Sequence, residues 1–151
     1  MSGQEQDPFD LNRFVEAQAE NYGEALAELR AGAKRTHWSW YVLPQIRGLG
    51  LSPMSVRYAI SGIREAKAYL GHPVLGARLR ETVAAINSHQ GLSAADILGS
   101  VDAQKFHSCV TLFASVSDEG SPFHMALAKY FSGARDRNTL SILEKQTGND
   151  T

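Results

Sequence analysis

Residue types that could do chemistry are concentrated in one segment of the chain, between positions 34 and 50. Both tryptophans lie there, Trp38 and Trp40, with His37 directly before the first and Gln45 shortly after the second. An imidazole can transfer protons near neutral pH. An indole offers a flat face for stacking, and an amide can form hydrogen bonds with the polar edge of a ligand. This combination predicts a pocket for a flat, polar small molecule, with His37 as its catalytic acid or base. The alternative interpretation of His37 is a partly buried histidine that forms a hydrogen bond near a helix start.

Basic residues bracket the same segment. Lys34, Arg35 and Arg47 could together receive a phosphate or carboxylate, and Tyr58 could add a second aromatic wall. The alternative interpretation is a solvated basic loop. The fragment Gly48-Leu49-Gly50 is a weak signal for a backbone that approaches an anion. We therefore take Lys34, Arg47 and Tyr58 as further candidate ligand contacts.

The local structure of this segment has two possible interpretations. Trp38, Trp40 and Val42 alternate as in a strand, whereas Thr36 could cap a short helix from 37 to 42 that Pro44 ends. We favour the helix because no other part of the chain offers a partner strand. Two residues of a helix are about 200° apart, so the two indoles cannot face one pocket. One tryptophan is expected in the core and the other beside a ligand.

A second group of candidates lies near the carboxyl end. Asp136 and Thr139 lie in a turn that leads into a helix, after Gly133. The pattern predicts first a helix cap, and alternatively a contact to a ribose or phosphate at the helix N-terminus.

An earlier helix carries Lys105 and Ser108 on one face. A serine–lysine nucleophile pair is conceivable there, but solvent-facing polar residues are the favoured interpretation. Asp102 is expected to cap this helix, and Cys109, among apolar residues, to be a buried inert thiol.

Composition and periodicity set the fold class. The chain has 151 residues, of which 43% are hydrophobic and 21% charged, as is usual for a globular protein. We therefore expect one domain over 1–151, with an ordered core over about 9–147 and mobile ends at 1–8 and 148–151. Apolar residues recur at helical spacing, as in Leu75, Leu79, Val83 and Ile86, and alternating β-branched runs are missing. The prediction is an all-α domain of six to eight helices of unequal length.

Charge and cysteine content restrict the function classes. A net charge of −1 argues against a nucleic-acid-binding domain. A single cysteine excludes an intrachain disulfide and a multi-cysteine zinc site, and no motif predicts a metal or cofactor. Neither a signal sequence nor a membrane-spanning run is visible, so we expect a soluble cytoplasmic protein with no membrane partner.

Several motifs together resemble a bacterial family of unknown function, the DUF1810 type, whose members have sometimes been labelled calpastatin. The resemblance extends from about Leu11 to Leu143 and implies a mostly helical fold, as in a mycobacterial member, but no activity. It rests on the following residues: Arg13-Phe14-Val15-Glu16-Ala17-Gln18, His37-Trp38-x-Trp40-Tyr41-Val42-x-Pro44-Gln45, Ser55-x-x-Tyr58-Ala59-Ile60, Leu70-x-His72-Pro73-x-Leu75-Gly76, Asp102-x-x-Lys105 and Asp136-x-x-Thr139-Leu140.

A looser likeness links the chain to a family that handles ADP-ribose and cleaves N-glycosidic bonds. It involves Leu70-x-His72-Pro73 and Tyr130-Phe131-x-Gly133 and transfers no catalytic residue. The resulting hypothesis is a protein that binds or hydrolyses a nucleotide-like or ADP-ribose-like compound. The alternative is a non-enzymatic interaction module in which the tryptophan segment is structural and an exposed apolar patch binds a protein.

Overall fold

The computed structural model describes residues 7–149, with side chains described through residue 147. Of the ends expected to be mobile, residues 1–6 and 150–151 lie outside the described part. The helices within it are α1 (Asn12–Gln18), α2 (Tyr22–Ala31), α3 (Ser39–Val42), α4 (Pro53–Arg57), α5 (Ile63–Gly71), α6 (Leu75–Asn87), α7 (Ala94–Leu98), α8 (Ser100–Ala114), α9 (Pro122–Phe131) and α10 (Arg137–Asn149).

The predicted all-α domain with helices of unequal length is confirmed. Seven of these helices have seven or more residues, and the other three are one-turn helices of four or five residues. None of the helices in the described range is long and apolar enough to cross a membrane.

Helix α8 forms the centre of the core. It has 15 residues and packs against α5, α7, α9 and α10. Phe106, Cys109 and Phe113 are fully buried on it, and the Phe113 ring lies 5.4 Å from that of Tyr69. Cys109 is buried, as predicted, and this burial raises the pKa of its thiol.

The turn between α5 and α6 depends on a close backbone approach. A Cβ atom added at Gly76 would lie 2.1 Å from the Leu70 carbonyl oxygen. His72 Nδ1 accepts the backbone N–H groups of Val74 and Leu75, at 3.1 and 3.2 Å. His72 therefore satisfies N–H groups that a helix start leaves without intrahelical partners.

The tryptophan segment is helical, as favoured, but it begins differently from the prediction. Helix α3 starts at Ser39 with Trp38 at the N-cap, and the Thr36 hydroxyl binds Glu28 instead of capping the helix. After α3, the Arg47 N–H donates to the Ile60 carbonyl at 2.8 Å, within a single parallel β-bridge between positions 46 and 60. This bridge is the only β-structure between residues 7 and 149.

Candidate functional site

One buried carboxylate holds the start of the tryptophan segment. Glu28 on α2 accepts four hydrogen bonds: from the Arg35 and Thr36 backbone N–H groups, the Thr36 hydroxyl and the Trp38 indole N–H, at 2.6–3.0 Å. Burial alone would raise the pKa of Glu28, but these donors outweigh it and lower the pKa to about 2. Trp38, only 1% exposed, is thereby fixed in the core.

Two lysines share one carboxylate beside this segment. Asp102 Oδ2 lies 2.8 Å from Lys34 Nζ, and Asp102 Oδ1 lies 3.4 Å from Lys105 Nζ. The Ser39 hydroxyl donates to the same Oδ1 at 3.3 Å. Burial acts to raise the pKa of Asp102, but the two ammonium groups hold it below its usual value. Two cations on one anion leave this cluster with a net positive charge.

Each lysine also lies against one of the tryptophans. Lys34 Nζ is 5.0 Å from the Trp38 ring centroid, and Lys105 Nζ is 5.0 Å from that of Trp40. Such distances allow a cation–π attraction. The Lys34 side chain is 7% exposed and that of Lys105 is 23% exposed. Lys105 is therefore the ammonium group that solvent or a ligand can reach.

Asp102 was expected to cap α8, and this prediction was wrong. The helix begins at Ser100, and Gly99, with φ of 85°, occupies the N-cap position. Glycine adopts this left-handed conformation without steric cost. Asp102 consequently lies in the first helical turn, where its carboxylate is free to pair with both lysines.

A second buried carboxylate joins α8 to α10. Gln104 Nε2 donates to Asp136 Oδ1 at 3.1 Å, and the Ser108 hydroxyl donates to Oδ2 at 3.1 Å. The Thr139 N–H and hydroxyl also donate to Oδ2, at 3.0 and 2.6 Å. Thr139 is the third residue of α10, so Asp136 acts as the helix cap that the sequence indicated. Ser108 is buried, so the expectation that it faces solvent was wrong.

A cleft opens beside Asp136 and Lys105. It has a volume of about 400 Å³ and lies between the loop after α3, helix α8 and the start of α10. Gly48 has φ of 107°, and a Cβ at Gly50 would lie 2.6 Å from that of Ser55, so glycines shape the loop. The cleft is lined by Gln45, Leu49, Gly50, Ser55, Val101, Gln104, Lys105, Ser108, Asp136 and Asn138.

The aromatic end of the cleft is narrow. A space of about 20 Å³, lined by Trp40, Tyr58 and Ile46 among others, shares Gln45 and Ser55 with the larger cleft. That volume corresponds to about one water molecule. An aromatic ring therefore does not fit between Trp40 and Tyr58 in this conformation.

The structure brings four of the predicted site residues together and places five elsewhere. Trp40, Gln45, Tyr58 and Asp136 line the cleft or its narrow end. The other five do not line it. Trp38 and Thr139 are buried, and the Lys34 side chain is largely buried against Asp102. Arg47 is exposed on a different groove, and His37 is exposed and lines neither part of the cleft. The two tryptophans thus lie in different environments: Trp38 in the core and Trp40 at the narrow end of the cleft.

Sequence analysis did not select five of the polar lining residues as ligand contacts: Ser55, Gln104, Lys105, Ser108 and Asn138. It considered Lys105 and Ser108 of α8 only as a nucleophile pair and favoured solvent-facing positions for them. A sequence signal for the α8 residues does exist. Gln104, Ser108 and Thr111 recur at intervals of four and three residues, which places a polar stripe along a helix with a strongly apolar opposite face. Such a stripe on a central helix indicates buried polar partners.

The described residues contain no group of three His, Cys, Asp or Glu side chains arranged to hold a metal ion. The polar groups of the cleft are one ammonium, one carboxylate, hydroxyls and amides. This set can bind an anionic, hydrogen-bonding small molecule.

Comparison with known proteins gives a family and a fold. The chain is similar to a crystallised conserved hypothetical protein, Rv1873 from Mycobacterium tuberculosis, with 51% identity and a TM-score of 0.89. The match covers 91% of this chain and 99% of that one. A comparison with curated proteins found no match. The family model described as "Protein of unknown function (DUF1810)" matches residues 8–143, and the chain therefore belongs to this family.

Proposed function

We propose that the cleft between the loop after α3, helix α8 and the start of α10 binds a small anionic molecule of the nucleotide-like class. In this proposal Lys105 contacts a phosphate of the ligand. Gln45, Gln104 and Asn138 bind its hydroxyl or amide groups. The proposal assigns binding and no reaction, because the described residues that line the cleft include no imidazole and no thiol.

The charge of the lysine pair is the observation that carries the proposal. Lys34 and Lys105 share the single carboxylate of Asp102, and Lys34 makes the shorter contact. Lys105 is left as the more exposed and more weakly paired ammonium. It is also held in place by the Trp40 ring. A positioned cation that retains part of its charge at the wall of a concave site favours an anion.

The size and the other polar groups support the same ligand class. A volume of about 400 Å³ lies within the usual range of sites for small molecules. Among the described residues, the Gln45 and Asn138 side chains make no intramolecular hydrogen bond and are available to a ligand. Because the narrow end does not admit a ring, the base of a nucleotide would have to displace the loop over 48–52 or lie outside the narrow end.

Titration calorimetry with inorganic phosphate, AMP and ADP-ribose would test the proposal. We expect saturable binding of at least one of them, and a loss of about tenfold or more in affinity in Lys105→Gln, because one charge-assisted hydrogen bond is removed. Lys145→Gln, which changes an exposed lysine of α10 by the same chemistry, is the matched control and should bind as the wild type does.

Fluorescence would locate the ligand independently. Trp40 lines the narrow end of the cleft whereas Trp38 is buried in the core. Binding should therefore change the emission of a Trp38→Phe variant, which retains Trp40, and leave that of Trp40→Phe nearly unchanged. Absence of binding by all three compounds, or equal affinity in the wild type and Lys105→Gln, would overturn the proposal.

A further inference from the structure

A second concave surface is formed in part by the same loop that borders the cleft, and shares none of the residues that line the cleft. It has a volume of about 710 Å³ and is formed by the start of α1, the end of the loop and helix α4. The residues that matter for its chemistry are Phe9, Arg47, Leu51, Pro53, Val56 and Arg57. We call this surface the arginine groove.

Two bulky aliphatic side chains are exposed on the arginine groove. Leu51 is 90% exposed and Val56 is 55% exposed. Their backbone is nevertheless held in place, because the Ser52 side chain accepts the Ser55 N–H and Pro53 occupies the first turn of α4. Exposed apolar residues are common on protein surfaces. Leu51 and Val56 both line one concave surface, so a single apolar side chain of a partner can contact both.

Two exposed arginines flank these aliphatic residues. Neither Arg47 nor Arg57 forms an ion pair with the side chains of residues 7–147. Arg57 Nε donates to the Tyr58 hydroxyl at 3.4 Å. Glu65 at the floor is already neutralised, because Arg13 pairs with it at 2.9 Å. Asp10 is the one exposed carboxylate among the lining residues. The accessible rim thus carries two guanidinium groups against one carboxylate.

We infer that the arginine groove binds a short peptide segment of a partner protein in which a bulky aliphatic residue is flanked by acidic residues. The aliphatic side chain would pack on Leu51 and Val56. The acidic residues would pair with Arg47 and Arg57, whose guanidinium groups can bind carboxylates in a bidentate manner. This site is separate from the ligand cleft and does not depend on its function.

The charges and shape favour a peptide over other occupants. Surfaces that bind anionic membranes typically present clusters of four or more basic residues, and this rim has two. The groove is wide and open, and its apolar contacts are two projecting side chains, as suits an extended peptide that covers both. The net charge of −1 for the whole chain disfavours nucleic acid.

The test uses a labelled peptide with one leucine between two glutamates in a serine–glycine background. Two comparison peptides replace the glutamates by lysines or the leucine by serine. Fluorescence anisotropy and amide-shift mapping would be recorded on the full chain. We expect saturable binding of the first peptide, shifts centred on residues 47–57, weaker binding at high salt, and little binding of the two comparison peptides.

Variants at exposed positions keep the experiment free of folding effects. Leu51→Ser combined with Arg57→Gln should weaken binding by about tenfold or more, whereas Lys105→Gln, in the ligand cleft, should not change it. The inference is overturned if the lysine peptide binds equally well or if the double variant binds like the wild type. It is also overturned if the groove instead mediates self-association, seen as a concentration-dependent dimer lost in Leu51→Ser, or binds anionic vesicles but no peptide.

Discussion

The Trp38 indole N–H donates to the Glu28 carboxylate at 3.0 Å, inside a site where the same carboxylate also receives three donors from Arg35 and Thr36. Among the residues that the structure describes, no side-chain cation donates to this carboxylate. The carboxylate thus accepts backbone N–H groups of the 35–38 segment, as a capping residue does at the start of a helix. It fixes the position from which α3 and Trp40 continue toward the cleft.

Replacing Glu28 by glutamine should destabilise the protein. Glutamine keeps the shape but loses the charge that strengthens four hydrogen bonds, and its amide group turns a donor toward other donors. We expect the free energy of unfolding to fall by about 2 kcal/mol, measured by urea denaturation at neutral pH. Glu144→Gln, at an exposed position on α10, should leave it within experimental error.

The contribution of Glu28 should depend on pH in a defined window. Its pKa in the folded protein is about 2, below the ordinary value of 4.5. A lowered pKa stabilises the folded state fully above the ordinary value, and this stabilisation is lost as the pH falls through 4.5 toward 2. The difference in unfolding free energy between wild type and Glu28→Gln should therefore shrink across that range. A difference that stays constant would show that the charge of Glu28 contributes nothing.

Alanine at Gly76 should disturb the α5–α6 turn. The added Cβ would lie 2.1 Å from the Leu70 carbonyl oxygen, which is backbone and cannot rotate away. We expect a loss of about 3 kcal/mol in the free energy of unfolding, from thermal or chemical denaturation. Gly71→Ala is the matched control, since its Cβ would meet nothing within 4 Å, and equal stability of the two variants would contradict this account.

Local sequence signals determined the fold class and several helix ends. Gly32, with φ of 78°, ends α2, the Ser93–Asp96 capping box starts α7, and Ser121 caps α9, all as their residue types indicate. These features depend on neighbours within a few residues, so the sequence contains all the information that they need. The helical spacing of apolar residues determined the all-α class for the same reason.

Helical geometry predicted that the two tryptophans point to different sides, since they are two residues apart. They do so, although Trp38 is the N-cap residue and only Trp40 lies within α3. Helical geometry did not decide which one would be buried. Trp38 is in the core because Glu28, ten residues earlier, receives its N–H. Trp40 lines the narrow end of the cleft, where its ring meets Lys105, sixty-five residues later.

Only the tertiary structure decided which polar residues meet. Asp102 pairs with Lys34 across 68 positions, and Asp136 reaches Ser108 across 28. Burial raises the free-energy cost of an unpaired polar group, so these residues are held by partners that the chain supplies from distant helices. No sequence spacing specifies such a pairing. The sequence by itself therefore determined a helical domain with one unusual aromatic segment, and the packing of α8 against α10 and the loop determined where a cleft opens.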